Sequence, residues 1–144
     1  MATKSTASAV WNGKLRDGNG TFEAKSGSFK GAFSFPTRFE GKPGTNPEEL
    51  LAAAHAACLS MALSGALEKA GTPATRIATT AHCTMDMIGG AATVAKMQLE
   101  VRGVVPGIDQ AAFAAAAAGA KEQCPVSRAL AGIPTVELVA TLEA

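Results

Sequence analysis

The chain has 144 residues, enough for one domain but not for two ordinary hydrophobic cores. Its net charge is +1, with Lys and Arg scattered, so it lacks the basic stripe of a nucleic-acid binder. Three cysteines make an odd and sparse set, which excludes a secreted disulfide framework and predicts a reducing, cytoplasmic setting. The opening "MATKSTASAVWNGK" carries no apolar run, so no signal peptide is expected. In chain order, the first forty residues read as a small antiparallel sheet. "TASAVWN" leads through the turn-rich "GKLRDGNG" to "TFEAK", and "SGS" separates that run from "FKGAFSF". "GKPGTNP", residues 41–47, is a loop by its Gly and Pro content.

A long helix follows over residues 46–71, with signals at both ends. Asn46 suits the N-cap, Pro47 the first helical position, and Glu48 and Glu49 the positive end of the helix dipole. Gly71 caps the far end, and Pro73 lies just beyond. Residues 50–67 of this helix carry no formal charge and reach the lower limit of length for a membrane span. Much of that apolar character is alanine, however, His55 lies inside it, and two glutamates precede it. A buried core helix explains the run better, and no membrane partner is expected.

Two strand-like runs, "TRIATTAHCTMDMI" and "TVAKMQLEVRGVV", form a hairpin around "GGA". Asp109 caps a second helix, "QAAFAAAAAGAKEQ". Pro125 starts a short third one, "PVSRALA", and "TVELVATLEA" ends the chain as a strand. The order is βββ-α-ββ-αα-β, an α+β class in a single domain spanning 1–144. A helix that is apolar all round has to be covered on all sides. Two strand runs and one alanine-rich helix are thin cover for it, which predicts a homodimer.

The groups able to carry chemistry are few. Cys58 and Cys124 lie on different helices, and Cys124 precedes Pro125 at the N-cap position of the third helix, where a thiolate is favoured. On the residues alone the plainer reading, that both are small buried hydrophobes as structural cysteines often are, is the favoured one. His55 shares a helical face with Cys58, and "HC" recurs at His82 and Cys83, so a zinc-binding interaction module using His55, Cys58 and Cys83 is a competing reading. Adjacent strand residues 82 and 83 point to opposite faces, which weighs against it and leaves His55 as a hydrogen-bonded core histidine. Arg38 stands between Phe35, Pro36 and Phe39, where a positioned guanidinium can lower a thiol's pKa and clamp a carboxylate. Glu48 and Cys58 are ten residues apart, about 15 Å along one helix axis, so a site that used both would draw the carboxylate from another subunit.

"TRFEGKPGTNPEELLAAAHAACLSMALS" followed by "CPVSRAL" resembles the OsmC/Ohr family of osmotically inducible and organic hydroperoxide resistance proteins. "VWNG" and "VPGID" extend the likeness along the chain, and His55 before the first cysteine is similar to the OsmC branch. The resemblance implies an intertwined α+β homodimer with its reactive cysteines on central helices at the interface. It also implies a thiol peroxidase that reduces organic hydroperoxides without a metal, haem or other cofactor. By motif position Cys58 matches the peroxidatic thiol, Cys124 the resolving thiol, Arg38 the activating arginine and Glu48 its carboxylate partner, the last two supplied from the opposite subunit. An external dithiol reopens the disulfide, a lipoyl group in relatives. The Leu, Met and Ala side chains around Cys58, with the N-terminal phenylalanines, would receive an apolar peroxide tail. The sequence departs from the pattern at Leu59, where phenylalanine is expected, and in its additional Cys83. A non-catalytic ligand-binding or stress-response member of the same fold is the alternative, and it would need the pocket but neither Arg38, Glu48 nor the thiols.

Overall fold

Three short strands open the chain, β1 (Ala7–Asn12), β2 (Asn19–Ala24) and β3 (Lys30–Phe33), paired antiparallel in the order β1-β2-β3. The rings of Trp11, Phe22 and Phe33 cluster on this sheet, with Phe33 at 5.5 Å from Trp11 and 6.1 Å from Phe22. The computed structural model describes residues 1–144, which form two compact units, Met1–Leu50 and Leu51–Ala144.

After β3 comes an element that the sequence order above does not contain, the five-residue helix α1 (Phe35–Phe39). Apolar periodicity cannot reveal so short a helix, and a capping box defines it instead. The Ser34 hydroxyl accepts from the Thr37 N–H at 3.3 Å, and the Thr37 hydroxyl accepts from the Ser34 N–H at 2.9 Å. The observed order is therefore βββ-αα-ββ-αα-β. The long helix α2 (Pro47–Lys69) begins as expected, with the Asn46 side chain accepting from the Glu49 N–H at 2.9 Å.

The second unit is built on a three-stranded sheet. β4 (Arg76–Ile88) and β5 (Ala91–Val104) form an antiparallel hairpin, and β6 (Thr135–Glu143) lies parallel to β5 on its other side. Gly89 and Gly90 make the hairpin turn at φ of 58° and 82°, a left-handed pair that side chains with a Cβ resist. The parallel return to β6 needs a crossover, which α3 (Gln110–Gln123) and α4 (Pro125–Ala129) provide. Gln110 ties α3 to β6, accepting from the Leu142 N–H at 2.7 Å and donating to the Ala140 carbonyl at 2.8 Å.

The core of this unit joins Leu59, Leu63 and Leu67 of α2 to Met97, Leu99 and Val101 of β5, and to Phe113 and Ala117 of α3. The three leucines recur every four residues, one stripe of the helix. Met97, Leu99 and Val101 alternate along β5 and so share one sheet face, which continues to Gly103. Phe113 lies against Gly103, where an added Cβ would come within 2.5 Å of the ring. The expectation of a helix covered on every side is met on that stripe alone. Only 22% of the most apolar 18-residue window of α2 is buried, and Met61 is 77% exposed. By length and composition α2 could cross a membrane, yet its leucine stripe is packed on the sheet.

Candidate functional site

Two pairs of chemically capable side chains are assembled, one in each unit. In the first unit the loop after α1 folds back on the helix. The Thr37 hydroxyl donates to the Thr45 carbonyl at 2.9 Å, and the Asn46 amide donates to the Thr37 carbonyl at 3.3 Å. That closure brings the start of α2 to Arg38. Its Nε donates to both Glu48 carboxylate oxygens, at 3.2 and 3.3 Å, and its Nη2 donates to Oε1 at 2.8 Å. The Arg38 side chain is 38% exposed and the Glu48 side chain 10%, so the carboxylate is the fixed partner and the guanidinium the presented one. The guanidinium also lies 5.3 Å from the centre of the Phe39 ring, one of the aromatic residues that flank it in sequence.

In the second unit packing of α2 against the α3–α4 junction brings Cys58 and Cys124 together from 66 residues apart. Their sulfurs are 2.9 Å apart, in hydrogen-bond contact and about 0.9 Å beyond a disulfide bond length. Cys124 is fully buried, whereas Cys58 is only partly buried. Cys124 ends α3 and occupies the N-cap position of α4, although its side chain makes no capping hydrogen bond of its own. Burial opposes ionisation of Cys124. Cys58, the backbone and hydroxyl of Ser127, and the backbone of Val126 outweigh that penalty, and its pKa is lowered. Burial and then the contact with Cys124 push the Cys58 thiol up, and a backbone N–H at Val126 does not reverse this.

One turn before Cys58 on α2 lies His55, fully buried, with its Nε2 2.7 Å from the Ser127 hydroxyl. Its Nδ1 is buried without any hydrogen-bond partner, which costs a fold about 1–3 kcal/mol. Burial, and secondarily the charge of Lys121, lowers the His55 pKa, so the ring is neutral. The expected core histidine is thus half satisfied. Ser127 is the residue that reading for motifs missed. The available signal was its place three residues after Cys124, on the first turn of α4.

The other histidine and cysteine are elsewhere. His82 and Cys83 lie on β4, with His82 exposed and 3.6 Å from Glu100 while Cys83 packs against the core. No group of three or more His, Cys, Asp or Glu side chains is arranged to hold a metal ion.

A hairpin-plus-crossover sheet carrying one long helix, with two thiols in contact where that helix meets the α3–α4 junction, defines a protein class. The pattern of the OsmC-like proteins matches residues 39–139, and the chain belongs to the OsmC family. Among its relatives, Peroxiredoxin OsmC of Escherichia coli strain K12 is 44% identical over 131 residues, covering 90% of this chain and 92% of the relative. The fold is likewise that of solved structures. The organic hydroperoxide resistance protein OhrB of Bacillus subtilis aligns with a TM-score of 0.72 at 23% identity, over 96% of this chain and 98% of the other. An OsmC-like protein of Mycoplasma pneumoniae aligns with a TM-score of 0.77 at 16% identity, over the whole of both chains.

Proposed function

We propose that this protein is a thiol-dependent peroxidase that reduces organic hydroperoxides to alcohols, with Cys58 as the attacking thiol and Cys124 as the resolving one. The observation that carries this reading is the 2.9 Å contact between two reduced thiols of unequal access. The buried Cys124 sulfur is closed to a peroxide, while Cys58 is partly open. The E. coli relative's name, a peroxiredoxin, supports the same chemistry.

In this cycle the Cys58 thiolate attacks the distal peroxide oxygen. The O–O bond breaks, the alkoxide leaves and takes a proton to become the alcohol, and Cys58 is left as a sulfenic acid. Cys124 then attacks the sulfenic sulfur. The S–S bond forms, the S–O bond breaks, and the departing hydroxide leaves as water with the proton that the Cys124 thiol gives up. Per turn, two thiols and one hydroperoxide become one disulfide, one alcohol and one water. An external dithiol reopens the disulfide by exchange, so the thiols carry all the electrons and no metal or haem is needed.

Two further assignments belong to this reading. The single chain holds Cys58 protonated, so a cation has to be brought to it, and we assign that role to Arg38, oriented by Glu48. We also assign delivery of this pair to a second copy of the chain in a homodimer. The open face of α2 supports this, since Ala54, Ala57 and Gly65 leave room for another helix to approach and the exposed Met61 offers it an apolar contact. Ala54 and Met61, one turn to either side of Cys58, make the surroundings of its sulfur apolar and suit an organic rather than a small polar peroxide.

A thiol count tests the cycle. Reduced protein treated with a small excess of cumene hydroperoxide is expected to lose two of its three thiols. The Cys58→Ser protein should lose none, and the Cys124→Ser protein should stop at an oxidised single cysteine that dimedone traps. Retention of all three thiols in the parent protein would sink the proposal.

A further inference from the structure

We infer that His55 and Ser127 are positioning residues for the second thiol, a two-link donor chain that presents a hydroxyl hydrogen to the Cys124 sulfur. The argument starts from the unpartnered nitrogen. A neutral imidazole carries its hydrogen on one nitrogen only. If that were Nδ1, the core would hold an orphaned N–H, the rarer kind of buried defect. With the hydrogen on Nε2, the orphan is a lone pair and the 2.7 Å contact runs from the His55 N–H to the Ser127 oxygen. The serine hydroxyl then keeps its own hydrogen. Ser127 stands on the first turn of α4, three residues beyond Cys124 at its N-cap, the spacing at which two side chains meet. The direction of the Cys124 shift agrees. Charge-assisted bonds of this kind are stronger than neutral ones, so the chain favours thiolate over thiol at Cys124.

The groups facing this chain agree with a fixed neutral tautomer. Lys121 of α3 is the cation near the ring, and it disfavours a second proton on His55. Cys58 of α2 and Cys124 at the α3–α4 junction are the other titratable groups. For catalysis the inference rests on the two-cysteine reading above, and it assigns His55 to the resolving step rather than to peroxide attack.

The test reads thiolate absorbance at 240 nm against pH, which needs neither peroxide nor access for a reagent. In Cys58→Ser/Cys83→Ser protein the signal belongs to Cys124. Adding Ser127→Ala or His55→Leu is expected to raise the midpoint by about one pH unit, a ten-fold change, and combining them should add little because they interrupt one chain. Ser127→Thr keeps a hydroxyl and His55→Gln keeps an N–H donor, and both should stay within a few-fold of the parent. If His55→Leu does not fold, Ser127→Ala and Ser127→Thr still decide the hydroxyl link, and His55→Met, which also removes the donor, decides the donor link. An unmoved midpoint in His55→Leu or Ser127→Ala, or fully additive shifts, would overturn the inference. In protein with both Cys58 and Cys124, His55→Leu should accumulate dimedone-trapped sulfenic acid at Cys58 while the parent closes its disulfide. A parent that loses no thiols to cumene hydroperoxide would instead refute the peroxidase reading and leave the 240 nm result standing.

Discussion

The Arg38–Glu48 pair and the Cys58–Cys124 pair are built on opposite principles. The charged pair is local, made by ten residues of chain folded back through a capped helix and two loop hydrogen bonds, and its guanidinium stays wet. The thiol pair is non-local, and it exists only because α2, the sheet and α3 pack correctly. Full charges keep at least one partner at the surface, and here the buried Glu48 carboxylate is offset by an Arg38 guanidinium that solvent still reaches. Thiols are nearly apolar until they ionise, so a core can hold them and tune them with a few donors. One unit thus presents a permanent charge, while the other conceals a conditional one.

The strongest way to break this comparison is to force the two pairs to come from different chains. Arg38→Met is expected to cut kcat/KM for cumene hydroperoxide by about 10²–10³-fold, since it removes a positioned cation, and Cys58→Ser to abolish turnover. Dissociated, mixed one to one and reassembled, the two inactive proteins should regain about one quarter of parental turnover. Half the dimers are then mixed, and half their sites combine an intact Arg38 with an intact Cys58. Mixed dimers seen by native mass spectrometry without recovered turnover would place both pairs in one chain.

A smaller effect separates the units by stability. Phe113→Ala is expected to cost about 3–5 kcal/mol in denaturant unfolding, because the ring is fully buried on Gly103. The thiol contact should loosen with it, while the Arg38–Glu48 pair, closed within the first unit, should not. Loss of the thiol contact would appear as slower disulfide closure at unchanged Arg38 dependence.

The smallest effect lies on the acid side. The folded-state pKa of His55 lies below the unfolded value of 6.5. Between the two the unfolded chain binds the extra proton, so stability falls as pH drops below 6.5. His55→Leu should flatten that limb of the unfolding curve, measured by urea midpoints from pH 7 to pH 5. An unchanged slope would mean that His55 gains its proton without penalty.

Much of this architecture was legible in the residues. Asn46, Pro47 and Gly71 bounded α2 because caps are local chemistry, and Asp109 began α3 for the same reason, accepting from the Ala112 N–H at 2.8 Å. The α1 helix was not legible because only Ser34 and Thr37 define it, within an aromatic run that reads as strand. Parallel pairing of β6 with β5 depends on where the crossover lands, which no residue of β6 encodes. At the site, Arg38 drew notice from the aromatic residues that flank it, while Glu48 read only as a helix-dipole residue and its pairing with Arg38 came from the family likeness. That the two sulfurs meet came only from the family likeness, since spacing says nothing about which turn of α2 faces the α3–α4 junction. Ser127 was hidden because a serine on the first turn of a helix is ordinary until a buried histidine is found against it.

The near-contact of the two sulfurs also bears on how such an enzyme would fail. On the proposed cycle, a sulfenic acid at Cys58 can be taken by Cys124 or by a second peroxide that drives it to the irreversible sulfinic acid. A partner held within 3 Å competes at an effective molarity that no dissolved peroxide approaches. Closure would also need no helix to unwind first. The protein would therefore withstand a burst of its own substrate, and activity would fade through depletion of the reducing dithiol before it was lost to damage.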